Sequence, residues 1–312
     1  MRTDTASLCT PDGVDVHLHI WRPDEDAQTL RGAVVISHGL AEHSARYARF
    51  AEALTASGFV VYAHDHRGHG RTSPESEHGF FAEVNGWQRV LDDLGQVVAR
   101  ARQDNPGKPC ILFGHSMGTT IVLSWLISHS QEVDAVVLSG PTGKVGPLLR
   151  VGRAIASIEA RRIGKKGPSK ILNNMAFGAY NRAFRPNRTD FDWLSKDPAE
   201  VDKYVADPWC GFVASAQLWV DLLGGQALIQ SSAIGRIRPD LPIYVVAGSA
   251  DPVGGRAAKQ VKAWIRLARR QGLAVEEHLW TDGRHELLNE VERDAVTADL
   301  ISWIDRKLAS RG

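Results

Sequence analysis

Short runs of β-branched and aromatic residues recur along the chain, separated by stretches whose apolar positions fall three and four apart. Ala33-Val34-Val35-Ile36-Ser37 is apolar at consecutive positions, the pattern of a strand buried on both faces. Residues 46–57 follow at helical spacing and stop at Gly58. Phe59-Val60-Val61-Tyr62-Ala63 predicts a second strand, and residues 87–104 a helix closed by Asn105-Pro106-Gly107. Cys110-Ile111-Leu112-Phe113 predicts a third strand, followed by a helix over 119–128 and a strand over 133–138 that ends at Ser139-Gly140-Pro141. Strands alternating with helices predict an α/β fold with a mostly parallel central sheet flanked by helices.

The rhythm then stops. From about Thr142 to Arg238 there are helical pieces, basic residues and Gly/Pro breaks, but no convincing central strand. It resumes at Pro242-Ile243-Tyr244-Val245-Val246, with a helix over 256–271, a strand over 274–279 and a closing helix to Leu308. The expected organisation is a first part of the core over 1–141, a helical cap over 142–235 and a second part of the core over 236–312. The cap enters after the strand ending near residue 138.

Composition narrows the function classes. A formal charge of +1 supplies no general field for nucleic acid, so none is expected as a partner. Cys9, Cys110 and Cys210 are odd in number and far apart, which excludes a self-contained disulfide framework and a CxxC site. No run approaches the ~18 apolar residues of a membrane span. Residues 1–15 carry charges and no apolar stretch of the secretory type, so a cytoplasmic location is expected.

The candidate chemistry begins at Gly114-His115-Ser116-Met117-Gly118. A lone GxSxG is weak, and a structural Gly-Ser turn is the plain alternative. Here an apolar strand precedes it and a helical run follows, the context that makes the serine a nucleophile. Such a tight turn strains the serine backbone and sets its hydroxyl at a helix N-terminus, which favours a developing anion. In this architecture the acid and then the histidine follow along the chain. Asp251, in Gly248-Ser249-Ala250-Asp251-Pro252 after a strand, fits the acid; a turn aspartate capping the next helix is the alternative. Asp282 is a rival, poorly placed three residues before His285. His285, after the last strand, fits the general base. The oxyanion donors are assigned to the Met117 N–H and, from the His38-Gly39-Leu40 loop, the Leu40 N–H. The histidines at 38 and 43, and at 64, 66 and 69, match no metal-ligand spacing, so no metal or cofactor is expected.

Four segments carry a family resemblance: His38-Gly39-Leu40-Ala41-Glu42-His43-Ser44 with Tyr47, Asp65-His66-Arg67-Gly68-His69-Gly70-Arg71-Thr72-Ser73, the Ser116 motif, and His285-Glu286-Leu287-Leu288-Asn289-Glu290. Together they resemble the monoacylglycerol lipase and lysophospholipase branch of the α/β-hydrolases, over about residues 14–140 and 235–309. The resemblance implies Ser116, Asp251 and His285 as triad, Leu40 and Met117 as oxyanion donors, and a mobile cap over an apolar acyl channel. Ala41 and Thr119 stand where the family usually has glycine, which implies a slightly reshaped pocket. The cap resembles the family only loosely.

Arg150, Arg153, Arg161, Arg162, Lys165, Lys166 and Lys170 alternate with apolar residues in the first half of the cap. They read either as a solvated face or as a surface for anionic lipid. The aromatic residues Trp193, Trp209, Trp219, Phe177, Phe184, Phe191 and Phe212 divide between cap core and acyl-tunnel wall. The expected activity is carboxylic-ester hydrolysis through an acyl-enzyme on a small acyl ester or single-chain lipid, a lipase of monoacylglycerol or lysophospholipid type, with peripheral membrane contact through the cap. A non-lipid esterase, thioesterase or amidase is the alternative, and a non-catalytic binding protein on the same scaffold is another.

Overall fold

A computed structural model describes residues 1–24 and 30–309. Eight strands form one sheet: β1 (Arg2–Cys9), β2 (Asp15–Arg22), β3 (Gly32–Ser37), β4 (Phe59–His64), β5 (Cys110–His115), β6 (Ala135–Ser139), β7 (Ile243–Gly248) and β8 (Val275–Trp280). Their spatial order is β1-β2-β4-β3-β5-β6-β7-β8. The pairs β1–β2 and β2–β4 are antiparallel, and every other pairing is parallel.

The consecutive apolar residues of the central strands serve two faces at once. Val34, Ile36, Phe113, Val137 and Val246 pack on one face beneath α1 (Ala48–Ala56) and the C-terminal helix, where Trp303 is fully buried. Their neighbours Val35, Leu112, Leu138 and Val245 pack on the other. That face is covered by α2 (Gly86–Asp104), α3 (Met117–His129) and residues from the later helices. A side-chain period of two with both sets buried is why these strands show no polar alternation.

Between β6 and β7 the chain adds helices and no strand among the described residues. These are α4 (Leu148–Ile163), the short turns α5 (Lys170–Asn173) and α6 (Ala179–Asn181), α7 (Pro198–Ala206) and α8 (Ala216–Ile229). Trp193, Leu194 and Tyr204 form a separate cluster there with Val253 of the core. The chain closes with α9 (Lys259–Arg270) and α10 (Arg293–Ala309).

Four elements differ from the hydrophobic pattern. Strands β1 and β2 escape it because β1 is a largely exposed polar edge strand and β2 interleaves His17 and His19 with its apolar positions. The helix expected from residue 256 begins instead as a 3-10 turn, with Ala257 and Ala258 in left-handed backbone, and α9 starts at Lys259. Ala258 is fully buried there, so packing overrides local helical preference. The helix expected from residue 46 starts as a 3-10 turn over Ser44–Tyr47.

Candidate active site

Ser116 stands between the end of β5 and the start of α3 with φ 51° and ψ −117°, outside the relaxed regions for a side-chain-bearing residue. Close packing holds it there. A Cβ on Gly118 would lie 2.0 Å from the Ser37 carbonyl oxygen, so only glycine lets α3 approach β3 this closely. The Ser116 N–H donates to the Ser139 carbonyl at 3.0 Å, and Thr119 Oγ1 donates to the Ser116 carbonyl at 2.6 Å. Thr119 therefore braces the turn from the position where the family usually has glycine.

Asp251 and His285 meet beyond the ends of β7 and β8. His285 Nδ1–H donates to Asp251 Oδ2 at 2.9 Å, which leaves Nε2 as the basic nitrogen. The other carboxylate oxygen accepts the Val253 N–H at 2.9 Å, so Asp251 orders its own loop and does not cap a helix. Both residues are buried. Burial alone pulls the His285 pKa down, but the charge and hydrogen bond of Asp251 outweigh it and leave it raised. Asp282 is exposed, with its N–H donating to Ser249 Oγ at 2.9 Å. The Ser116 hydroxyl makes no hydrogen bond to His285 among the described residues.

Ser116, Leu40 and Met117 line one pocket of about 530 Å³ together with Phe177, Trp193 and Trp219. No Lys or Arg lines it among the described residues. No protein acceptor engages the Leu40 or Met117 amide among the described residues. The Trp193 ring also lies 5.0 Å from the His285 ring. The other aromatic residues of the insertion pack elsewhere: Trp209 against His43, Phe191 against Tyr204, Phe212 against His69 and His78, and Phe184 beneath Arg284. Tyr180, which the sequence did not single out, lines the pocket too, and burial with the Asp251 charge pushes its pKa up to about 12.

Beneath the His38-Gly39-Leu40 loop the rings of His38, His64, His66 and His69 cluster in the interior in tilted and edge-on contacts, with the His38 and His66 rings 4.2 Å apart. Burial and the neighbouring rings lower all four pKa values, His64 and His69 to about 3. His38 is fixed in one tautomer, since Nε2 accepts the His66 N–H at 3.0 Å and Nδ1–H donates to the Gly39 carbonyl at 2.7 Å.

A second polar group escaped the sequence reading. Arg46, on the 3-10 turn before α1, donates Nη1–H to Glu42 at 2.7 Å and forks onto Glu286 at 2.8 and 2.7 Å. Glu42 and Arg46 lie four residues apart, a legible pairing, but Glu286 is 240 residues further on. Ala41, at the other departure from the family pattern, has φ 58°, and its carbonyl accepts from Tyr204 Oη at 2.7 Å and the Gly211 N–H at 3.0 Å.

The geometry is matched by kinship. Residues 28–292 match the model of the family described as serine aminopeptidase, S33. The monoacylglycerol lipase of Mycolicibacterium smegmatis is 33% identical over 303 residues, covering 94% of this chain and 93% of the relative. The chain belongs to the monoacylglycerol lipase branch of the α/β-hydrolases. It is an enzyme of the serine hydrolase class, hydrolysing carboxylic esters. The human monoglyceride lipase is 28% identical over 317 residues, covering 99% of this chain and 93% of its own. Among solved structures, a thermostable carboxyl esterase from Bacillus coagulans in complex with glycerol superposes with a TM-score of 0.88. It is 26% identical, and the match covers 99% of both chains.

Proposed function

We propose that this chain is a monoacylglycerol lipase with Ser116 as nucleophile, His285 as general base, Asp251 as orienting acid and the Leu40 and Met117 amides as oxyanion donors. The observation that carries the reading is the strained Ser116 on the floor of an apolar pocket beside two free amides, with Asp251 hydrogen-bonded to His285 Nδ1. Ser116 Oγ attacks the ester carbonyl as His285 Nε2 takes its proton, and the two amides hold the resulting oxyanion. Collapse breaks the acyl–oxygen bond, and His285 returns the proton to the departing glycerol. A water molecule, deprotonated by His285, then attacks the acyl-enzyme and releases the fatty acid with Ser116 restored.

Residues 142–235 act as the cap in this reading. The apolar wall of Phe177, Trp193 and Trp219 suits an acyl chain, and the absence of Lys and Arg from the pocket lining among the described residues favours a neutral glycerol head group over a phosphate. On the cap, Leu148 (70% exposed), Val151 and Ile158 of α4, with Ile171 and Met175, hold apolar surface in water beside the basic run. That pairing supports peripheral contact with an anionic membrane surface. No helix among the described residues is long and apolar enough to cross a membrane.

The deciding experiment is a panel of monoacylglycerols, lysophospholipids, short aryl esters, thioesters and an aminoacyl amide, run on the parent and on Ser116→Ala. Monoacylglycerol should lead the panel, and Ser116→Ala should lower its turnover by at least ~10⁴-fold. Preference for an aryl ester or amide would overturn the substrate assignment. Unchanged turnover in Ser116→Ala would overturn the mechanism. Binding to anionic vesicles should weaken as salt is raised; equal binding to neutral vesicles would remove the charge-based contact.

A further inference from the structure

Two chain segments must be held in register for the reaction assigned above: the loop that presents the Leu40 amide and the loop that presents His285. One buried ionic group touches both. We infer that Glu42, Arg46 and Glu286 form a positioning clamp that sets the oxyanion peptide and the His285 loop relative to each other; this rests on the serine-hydrolase reading.

The oxyanion side is held at three atoms. Glu42 Oε1 accepts the Gly39 N–H at 2.5 Å and the Tyr47 hydroxyl at 2.9 Å. The Gly39 carbonyl accepts from His38 Nδ1 at 2.7 Å. Because the Gly39–Leu40 peptide is planar and trans, fixing its carbonyl on one side fixes the Leu40 N–H on the other. A Cβ at Gly39 would sit 2.7 Å from Glu42 Oε1 and 3.2 Å from Ser116 Cβ, so Glu42 and the nucleophile flank the same residue.

The histidine side is held just as closely. Glu286 follows His285 directly, and both of its oxygens accept from the Arg46 fork. Asn289 Nδ2 donates to Glu286 Oε2 at 2.8 Å, and the Glu286 N–H donates to the Leu194 carbonyl at 2.8 Å. Among the described residues Arg46 is the cation that pairs with both carboxylates, and its guanidinium also lies 4.8 Å over the Tyr204 ring. Planar bidentate pairing constrains direction as well as distance, which a lysine ammonium does not. A buried ion group of this kind adds little net stability over an apolar replacement, so its distinctive contribution is geometry.

The clamp also has an electrostatic side. Two carboxylates and one guanidinium leave a net negative charge near His285. After burial and the dominant Asp251 contribution, Glu286 and Glu42 both act to raise the His285 pKa. The same charge favours the imidazolium that forms as Ser116 gives up its proton.

The test uses the full chain and a short-chain monoacylglycerol, with Glu286→Gln, Glu42→Gln and the double variant. Neutral amides keep the shape, and each single change leaves Arg46 one carboxylate partner. Each single variant should lower kcat about tenfold with KM held within about twofold, because the loss falls on transition-state geometry. The double variant should lose far less than the product of the two singles, since either change opens the same clamp. Glu286→Gln should also move the acid limb of the pH–kcat/KM profile to lower pH, which a purely structural role would not do. Arg46→Lys, which keeps the charge and loses the fork, carries the same kcat test if a Gln variant does not fold. Unchanged kcat in the singles, or multiplicative losses with an unmoved acid limb, would overturn the clamp. Labelling of the parent by a fluorophosphonate, abolished in Ser116→Ala, separates that outcome from failure of the serine-hydrolase reading itself.

Discussion

Residues 191–211 and residues 148–182 belong to one insertion, yet they meet the rest of the molecule differently. The later segment is tied to the core by polar links. Arg284 Nη1 donates to the carbonyls of Asp192 and Ser195, and Ser195 Oγ donates to the Asn289 carbonyl at 2.8 Å. Arg49 pairs with Glu200, Arg293 with Asp197, and His43 with Asp207. The earlier segment packs mainly through α4 against α8, and leaves Leu148, Val151, Ile158, Ile171 and Met175 in water. Buried or half-buried polar links near the site hold Trp193 over His285, whereas the polar links of the earlier segment sit at its far end. There Lys165 Nζ donates to the Glu83 carbonyl at 2.6 Å, Lys166 pairs with the exposed Glu77 and Glu83, and the backbone of residues 165–169 bonds to that of 214–217. Local opening is governed by how much buried contact must be broken, so amide exchange should be faster in α4 than in α7.

The residues proposed as catalytic set the upper scale against which the tied segment can be judged. Asp251→Asn should lower kcat by about 10⁴-fold, since the amide disfavours the tautomer that leaves Nε2 basic. In the proposed role His285 works only when neutral, so kcat/KM in the parent is expected to rise with pH through a His285 pKa above the ordinary 6.5. In Asp251→Asn the acid limb should move to lower pH, because the largest contribution opposing burial is lost and only the weaker pull of Glu286 and Glu42 remains. An unmoved limb would mean that another group titrates.

Next in size is Arg284→Leu, which takes the donor from two carbonyls of the tied segment. A loss of about 2–3 kcal/mol in urea unfolding is expected, with a fall in kcat as Trp193 loosens over His285. A loss below ~0.5 kcal/mol would erase the contrast between the segments. The double change Leu148→Asp with Val151→Asp should stay within about 0.5 kcal/mol of the parent in stability while weakening vesicle binding severalfold. The finest probe lies in α8. A Cβ on Gly224 meets open space, whereas one on Gly225 would lie 2.2 Å from the Trp87 ring. Gly224→Ala should therefore stabilise by about 0.5–1 kcal/mol, and Gly225→Ala should destabilise.

What could be read from the sequence follows the same division. The central strands were legible because both faces are apolar, and Ser116, Asp251 and His285 occupy the strand ends where chain order leads one to look. Strand β1 was not, because its exposed residues carry no burial pattern and its partner β2 supplies the reason it is a strand. The Glu42–Arg46 pair lay within reach of local spacing, but its third member joins only when β8 returns beside β7 and brings residue 286 back. The aromatic residues of the insertion had to await three dimensions, since Trp193 and Trp209 share a chemistry and differ only in what they face.

The clustered histidines beneath the His38-Gly39-Leu40 loop have a consequence outside catalysis. All four rings are held below their ordinary pKa when folded, so unfolding releases four bases that take up protons. The sign follows directly: stability is whole above pH 6.5 and falls as pH drops toward the folded values, by up to about 1.4 kcal/mol per pH unit for each ring. The interior is in effect a latent proton sponge. Acidification would therefore end activity twice, first by reversibly protonating His285 and then by collapse of the scaffold, two transitions that a pH-jump and return would separate.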